Sequence, residues 1–221
     1  MAARAPLLED LRALVVRVVL RQLDALLAAR RSERGDGGHG QREKEAAGHD
    51  GDQHTEQSAA LMPLHPVEPG RFRAVMGHFA TGVAIVTASA PHGPVGMTAN
   101  AVCSLSLDPL LLLVCFDNGA RTLPEVERAK RFGVNVLAAG QQALARRFAS
   151  KEDTKFADVP HSVHDGIPVI DGTLAWVGCD LERLVPAGDH TIGIGAVHAA
   201  ELGADGLEPL VWFRAGYTAL G

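Results

Sequence analysis

Between Gly96 and Leu107 the chain reads GMTANAVCSLSL and alternates, residue by residue, between two kinds of surface. Met97, Ala99, Ala101, Cys103, Leu105 and Leu107 form an apolar stripe, while Thr98, Asn100, Ser104 and Ser106 form a small, hydrogen-bonding one interrupted at Val102. Strand side chains point alternately to opposite faces, so the spacing predicts a strand with one face on a core and the other on something polar. A second segment, Asp189 to Val197, has the same asymmetry: Ile192, Ile194 and Ala196 on one side, Thr191, Gly193 and Gly195 on the other. Two glycines on one strand face call for close approach, either of another protein segment or of a ligand.

Strand-like segments continue on either side. GVAIVTA (82–88) is a short apolar strand, and HGP (92–94) marks a turn. LLLLVCF (110–116) is too continuously apolar for a sheet edge. GVNVL (133–137), the segments 173–185 and 190–202, and PLVWFRAGY (209–217) complete the strands. From residue 65 onward, helical spacing is confined to 71–80, to RTLPEVERAKRF after Pro124, and to 141–149. Closely spaced strands with few helices argue for a closed or partly open barrel. No G-x-G-x-x-G follows a strand, so a Rossmann nucleotide site is not indicated.

The first third of the chain differs in kind. Residues 7–31 place Leu7, Leu11, Leu14, Val18 and Leu26 opposite Asp10, Arg17, Arg21 and Asp24, which predicts an amphipathic helix within 1–31. Residues 32–64 hold few large apolar side chains and are expected to be a disordered linker, with the folded domain at 65–221. Met62 is a candidate alternative start. No apolar run approaches the roughly 20 residues of a membrane span, and no secretory signal is visible. A net charge of −5 argues against a nucleic-acid partner. Cys103, Cys115 and Cys179 lie far apart in apolar runs, and are expected to be reduced and buried in a cytoplasmic protein.

Two loops carry chemistry. DNGARTL (117–123) offers backbone amides at a helix start with Arg121 and Thr122, a phosphate site or simply a turn. GDH (188–190) is a turn whose histidine is either solvated or functional.

Taken in order, FRAVMGHFATGVAIVT, GMTANAVCSLSLDP, RFGVNVL, FASKEDTKF, GIPVIDGTLAW, GDHTIGIGAV and PLVWFRAGY resemble the short-chain flavin reductases, reductase components of two-component flavin-dependent monooxygenases. The resemblance runs from about Arg71 to Tyr217. It implies a mainly β, Greek-key-like FMN-binding split barrel with a few short helices, typically a homodimer. It also implies NAD(P)H-dependent reduction of FMN or FAD and delivery of diffusible reduced flavin to a partner monooxygenase; the sequence shows no basic cluster for a 2′-phosphate, which leans toward NADH over NADPH.

By motif, the resemblance sets Met97, Thr98, Asn100 and Ala101, with Ser104, along the flavin. Asn118, Ala120, Arg121 and Thr122 match its phosphate loop. Phe148 and Lys155 belong to the segment closing over it. Asp189 and His190 match the nicotinamide side, His190 as the catalytic position, with Phe213, Arg214 and Tyr217 as the far wall. No metal is implied. Ala120 and Ala101 stand where the family often has serine. Ala101 also lies on the apolar stripe, so either the strand bulges there or its contact is through the backbone. The cofactors own the hydride chemistry, so the protein is expected to supply orientation and charge. Two other readings are a flavin-binding module without nicotinamide oxidation, and an interaction protein acting through its N-terminal helix.

Overall fold

A computed structural model describes residues 67–152 and 154–220. The helix expected over 1–31 and the linker over 32–64 lie outside the described residues.

Seven antiparallel strands make one sheet in the order β3-β2-β6-β9-β10-β5-β4. They are β2 (Ala84–Ala90), β3 (Gly93–Ala99), β4 (Val102–Leu107), β5 (Leu110–Asp117), β6 (Arg131–Val136), β9 (Ala175–Ala187) and β10 (His190–Leu202). The edge strands β3 and β4 are consecutive in the chain, separated only by Asn100 and Ala101. A flat sheet would hold its two edges about 29 Å apart. The three Cα steps from Ala99 to Val102 reach no more than about 11 Å. The sheet therefore has to curl until its edges meet at that corner, where the Cys115 amide donates to the Ala101 carbonyl at 3.0 Å. β3 and β4 are not paired with each other, so the barrel is split along that seam.

This corrects the expectation of one strand over 96–107. The alternation runs through two strands on opposite edges, broken at Asn100–Ala101, and β4 carries a further register shift between Ser104 and Ser106. Ala101 itself lies outside both strands, and its carbonyl is taken by the Cys115 amide.

Inside the barrel, Val86, Ala88, Val114, Phe116, Phe132, Val134 and Cys179 form the first core, with the Phe116 and Phe132 rings edge-to-face at 6.0 Å. The β10 glycines serve these rings. A Cβ on Gly193 would lie 2.6 Å from Phe116, and one on Gly195 2.6 Å from Phe132 and 2.7 Å from Cys179 Cβ. The glycine face thus points into the core and makes room for phenylalanine, so the reading of it as a ligand surface is corrected. Burial pushes the Cys179 thiol up to about 12. Cys103 and Cys115, expected to be buried, are only half-buried.

β2 is buried on both faces. Ala84, Val86 and Ala88 enter the first core, while Val83 and Ile85 enter a second one with Leu137, Ala145, Phe148, Val159, Ile170 and Leu210. That second core is roofed by α3 (Gln142–Ala149), entered through a 3₁₀ turn (Ala139–Gln141). It is also bounded by a hairpin of β7 (His161–His164) and β8 (Ile167–Ile170), which the sequence reading missed. Buried Asn135 fastens this hairpin, accepting from the Ile170 amide at 2.8 Å and donating to the Ile85 carbonyl at 3.1 Å.

α2 (Thr122–Ala129) starts before Pro124 rather than after it, because proline is tolerated in a first turn where amides lack helical partners. The expected strand over 209–217 is instead a hairpin, β11 (Val211–Phe213) and β12 (Gly216–Thr218), turned by left-handed Arg214 and Ala215 and joined to β1 (Thr81–Gly82). α1 (Pro69–Met76) buries no side chain, leaving Phe72, Val75, Met76 and the following Phe79 exposed. Among the described residues no helix is long and apolar enough to cross a membrane.

Replacing Gly195 by alanine should cost about 1–3 kcal/mol, because the new methyl meets a packed ring and the Cys179 side chain. Gly82→Ala, with open space at its Cβ position, should stay within about 0.5 kcal/mol. Urea unfolding of the two variants checks this; equal midpoints would refute the packing role of the glycine.

Candidate functional site

The loop after β5 is tied to the turn between β9 and β10 by one side chain. Asp117 Oδ1 accepts from the Gly119 amide at 2.6 Å, which bends the chain outward. Asn118 then receives at its amide oxygen a 2.7 Å hydrogen bond from Thr191 Oγ1. Its Nδ2 donates to the Gly188 carbonyl at 3.2 Å, and its backbone amide donates to Asp189 O at 3.1 Å. His190 stands at the first position of β10, in register with Asp117. Its Nδ1 lies 2.8 Å from Asp189 Oδ1, and that hydrogen bond, with the imidazole charge, holds the fully exposed Asp189 carboxyl below its usual range. The hydrogen bond occupies Nδ1 and leaves Nε2 without a protein partner among the described residues.

The same loop ends at Ala120, whose amide donates to Asp117 O, and at Arg121, which precedes α2 and provides no side-chain cap for it. The Arg121 guanidinium reaches across to donate to the carbonyls of Lys151 and Glu152. Thr122 is buried beside it. Lys155 donates to the Phe148 carbonyl at 2.9 Å and sits 3.5 Å from the Gly96 carbonyl of β3. Burial chiefly, and the Arg121 charge next, push the Lys155 ammonium below the usual lysine range, with Glu152 acting the other way.

β3 meets α3 along this region. Thr98 Oγ1 donates to the Ala145 carbonyl at 2.7 Å, so its hydroxyl is engaged by the helix. The Phe148 ring is fully buried, edge-to-face with Phe156 at 4.9 Å, and lies where a Cβ on Gly96 would be. A buried ring positions the helix; it presents no surface to a ligand. At the barrel corner Asn100 donates to Thr81 Oγ1 at 3.3 Å. Ser104 is exposed on β4. The structure thus gathers Thr98, Arg121, Thr122, Phe148 and Lys155 in one region, with Asn118, Ala120, Asp189 and His190 continuous with it through the 117–122 loop, whereas Met97 packs against the first core on the other face of β3.

The three hairpin residues are divided. Phe213 faces His78, edge-to-face at 6.1 Å, with the Arg214 guanidinium 5.1 Å from its ring. Tyr217 pairs across the hairpin with Trp212, ring centroids 4.9 Å apart, under the Arg146 guanidinium. Among the described residues no hydrogen bond, ion pair or ring contact joins His190 to this hairpin. Trp212 and Arg146 were missed in the sequence. Arg146 reads there as an ordinary solvated position of a helix, and the hairpin turn that pairs Trp212 with Tyr217 was not recognised.

Residues 76–221 match the flavin reductase like domain. A flavin reductase of Pseudomonas putida is 40% identical over 161 residues, covering 72% of this chain and 94% of the relative. HsaB of Mycobacterium tuberculosis, the reductase subunit of a flavin-dependent monooxygenase, is 36% identical over 156 residues, covering 70% and 83%. The structure of the NADH:FAD oxidoreductase SgcE6 of Streptomyces globisporus superposes with a TM-score of 0.66 at 34% identity, over 72% of this chain and 99% of that one. By the family match over residues 76–221 and these relatives, the chain belongs to the flavin reductase-like family.

Proposed function

We propose that the chain is an NADH-dependent flavin reductase that passes reduced flavin to a partner oxygenase. The observation that carries this reading is the placement of Arg121 beside Lys155 at the start of α2, next to the edge strand β3. Two cations that oppose one another are relieved by an anion beside both, and helix amides without a side-chain cap add donors of the same sense. The donor set therefore fits a flavin phosphate. When bound, flavin and NADH supply the hydride chemistry themselves.

The residues of the chain do the rest. Arg121, Lys155 and Thr122 hold the phosphate. Thr98 and the Asn100–Ala101 corner with Ser104 form the floor for the flavin ring. Ala120 lets the loop approach without a side chain in the way. Phe148 acts from the core by seating α3 on Gly96. Asn118 locks the 188–191 turn, and Asp189 fixes the His190 ring, so that Nε2 meets the nicotinamide in one orientation. Phe213 and Arg214 close that side. Phe72, Val75, Met76 and Phe79 on and after α1, and separately Leu107 and Leu110, are exposed apolar side chains that a second copy would cover in a homodimer. Its free cysteines suit a reducing cytoplasm.

The first test follows NADH absorbance with and without added FMN; loss only with FMN is expected. Binding of FMN without NADH loss would reduce the protein to a flavin carrier. His190→Ala should raise the KM for NADH severalfold with FMN binding retained, and an unchanged KM would remove the histidine from the nicotinamide side. Arg121→Ala should weaken FMN about tenfold or more while sparing riboflavin, as expected for loss of one charged hydrogen bond. Equal losses would mean that the arginine only holds the 151–152 backbone.

Lys155 adds a pH signature. Its lowered value means that the positive charge is lost at a lower pH than for an ordinary lysine. FMN affinity, relative to riboflavin, should therefore begin to fall as pH rises before the usual lysine range is reached. In Lys155→Met that alkaline fall should disappear, and titration of FMN by flavin fluorescence checks it.

A further inference from the structure

The 117–122 loop and the 188–191 turn are far apart in sequence and are joined through Asn118. Asp117 stiffens the loop from within. Its carboxylate accepts from the Gly119 amide at 2.6 Å, and its carbonyl accepts from the Ala120 amide at 2.9 Å. Asn118, inside that bend, bonds to the turn at three points. Its Oδ1 accepts from Thr191 Oγ1 at 2.7 Å, its Nδ2 donates to the Gly188 carbonyl at 3.2 Å, and its backbone amide donates to the Asp189 carbonyl at 3.1 Å. Both polar atoms of the side chain are thus engaged by the turn.

The turn depends on this attachment. Gly188 is left-handed, and the Asp189 side chain is 96% exposed. Beyond its strand pairing with Asp117 and Ala187, His190 bonds through its ring only to Asp189 among the described residues. What steadies the turn from outside therefore comes from the loop. At its other end the loop carries Arg121, whose guanidinium donates to the Lys151 and Glu152 carbonyls. Only Gly119 and Ala120 separate Arg121 from Asn118, and both are bonded to Asp117, so the loop has little slack to absorb a shift of Arg121 toward an anion. Where one ligand has already ordered a segment, a second that needs the same order binds more tightly.

We infer that Asn118 is a positioning residue that couples the two substrate positions, so that a flavin phosphate at Arg121 tightens the binding of a nicotinamide dinucleotide beside His190, and the reverse. The inference rests on the reductase reading for what occupies the two positions. Linkage makes the effect equal in both directions, and such couplings are typically about fivefold or more. Neither ligand has to react, because the coupling is a difference in binding alone.

The test uses the full chain with FMN and NAD⁺, both oxidised, so that no hydride passes between them. FMN affinity is read by flavin fluorescence without and with saturating NAD⁺, and FMN should bind about fivefold more tightly with NAD⁺ present. Thr191→Val removes the hydroxyl that bonds to Asn118 and keeps the shape of a strand residue, and the ratio should there fall to unity. Asn118→Ala should do the same, whereas Thr191→Ser, which keeps the hydroxyl, should retain the ratio. A side chain that only stabilises the fold would weaken FMN in these variants and leave the ratio as it was. Riboflavin, with no phosphate for Arg121, should show a smaller gain; an equal one would mean that ring stacking carries the coupling instead of the loop. A ratio of unity in the unaltered chain, or one that survives in both Thr191→Val and Asn118→Ala, would overturn the inference. The expected ratios without NADH oxidation would keep the coupling and sink the reductase reading. FMN-dependent NADH oxidation with a ratio of unity would do the reverse, and failure of FMN to bind would remove both.

Discussion

The two residues between β3 and β4 impose the geometry from which the site hangs. They oblige the opposite edges of a seven-stranded sheet to meet, and one hydrogen bond, from Cys115 to Ala101, fastens β5 to that corner. Closure brings the edge of β3, with its Gly96 carbonyl and Thr98 hydroxyl, to the region where α2 begins after β5. It also sets how narrow the barrel is. A curled sheet of this size leaves little room inside, and the inward face of β10 answers with Gly193 and Gly195 opposite two phenylalanine rings. Larger residues there would push β10 away from the barrel axis and move the 188–191 turn with it.

α3 is the second organising element. At eight residues it is too short to be stable alone, so its orientation comes from what it touches. Phe148 anchors it in the second core and against Gly96; the Ala145 carbonyl takes the Thr98 hydroxyl; the Phe148 carbonyl takes Lys155. Arg146, on its outer side, reaches the β11–β12 hairpin. One helix thus divides the surface into a region of cations beside β3 and the aromatic pair of the hairpin, both referenced to the same buried ring.

Much of the barrel was legible in the sequence because it depends on local pattern. Continuous apolar character placed β5 inside the sheet, and the segment expected over 190–202 is β10 to the residue. What escaped depends on distant partners. Nothing local says that a twelve-residue alternation is cut in the middle, since the cut follows from closure by strands far along the chain. The glycines of β10 carried two readings, ligand or packing, and only Phe116 and Phe132, brought opposite by folding, decide between them. The hairpin at 211–218 was missed because its turn uses Arg214 and Ala215 in left-handed conformations, where a glycine or asparagine would have signalled it. Resemblance supplied the site residues, but could not show that Phe148 acts from the core or that Phe213 and Tyr217 face opposite ways.

The surroundings of Lys155 bear on how the proposed phosphate would be held by a chain whose net charge is −5. Its hydrogen bonds go to backbone carbonyls of Phe148 and Gly96, which orient the ammonium without neutralising it. Burial and the nearby Arg121 charge then make the protonated form less favourable than in water, more than Glu152 makes up for. A carboxylate in contact would have removed that disadvantage and, with it, the attraction for a ligand. A phosphate placed beside both cations reverses the same contributions, since it restores a counter-charge in a partly desolvated region where opposite charges attract more strongly than in bulk water. In the proposed reading, β3, α3 and the 117–122 loop hold Lys155 where a phosphate would offset the cost of keeping its charge in a partly buried position.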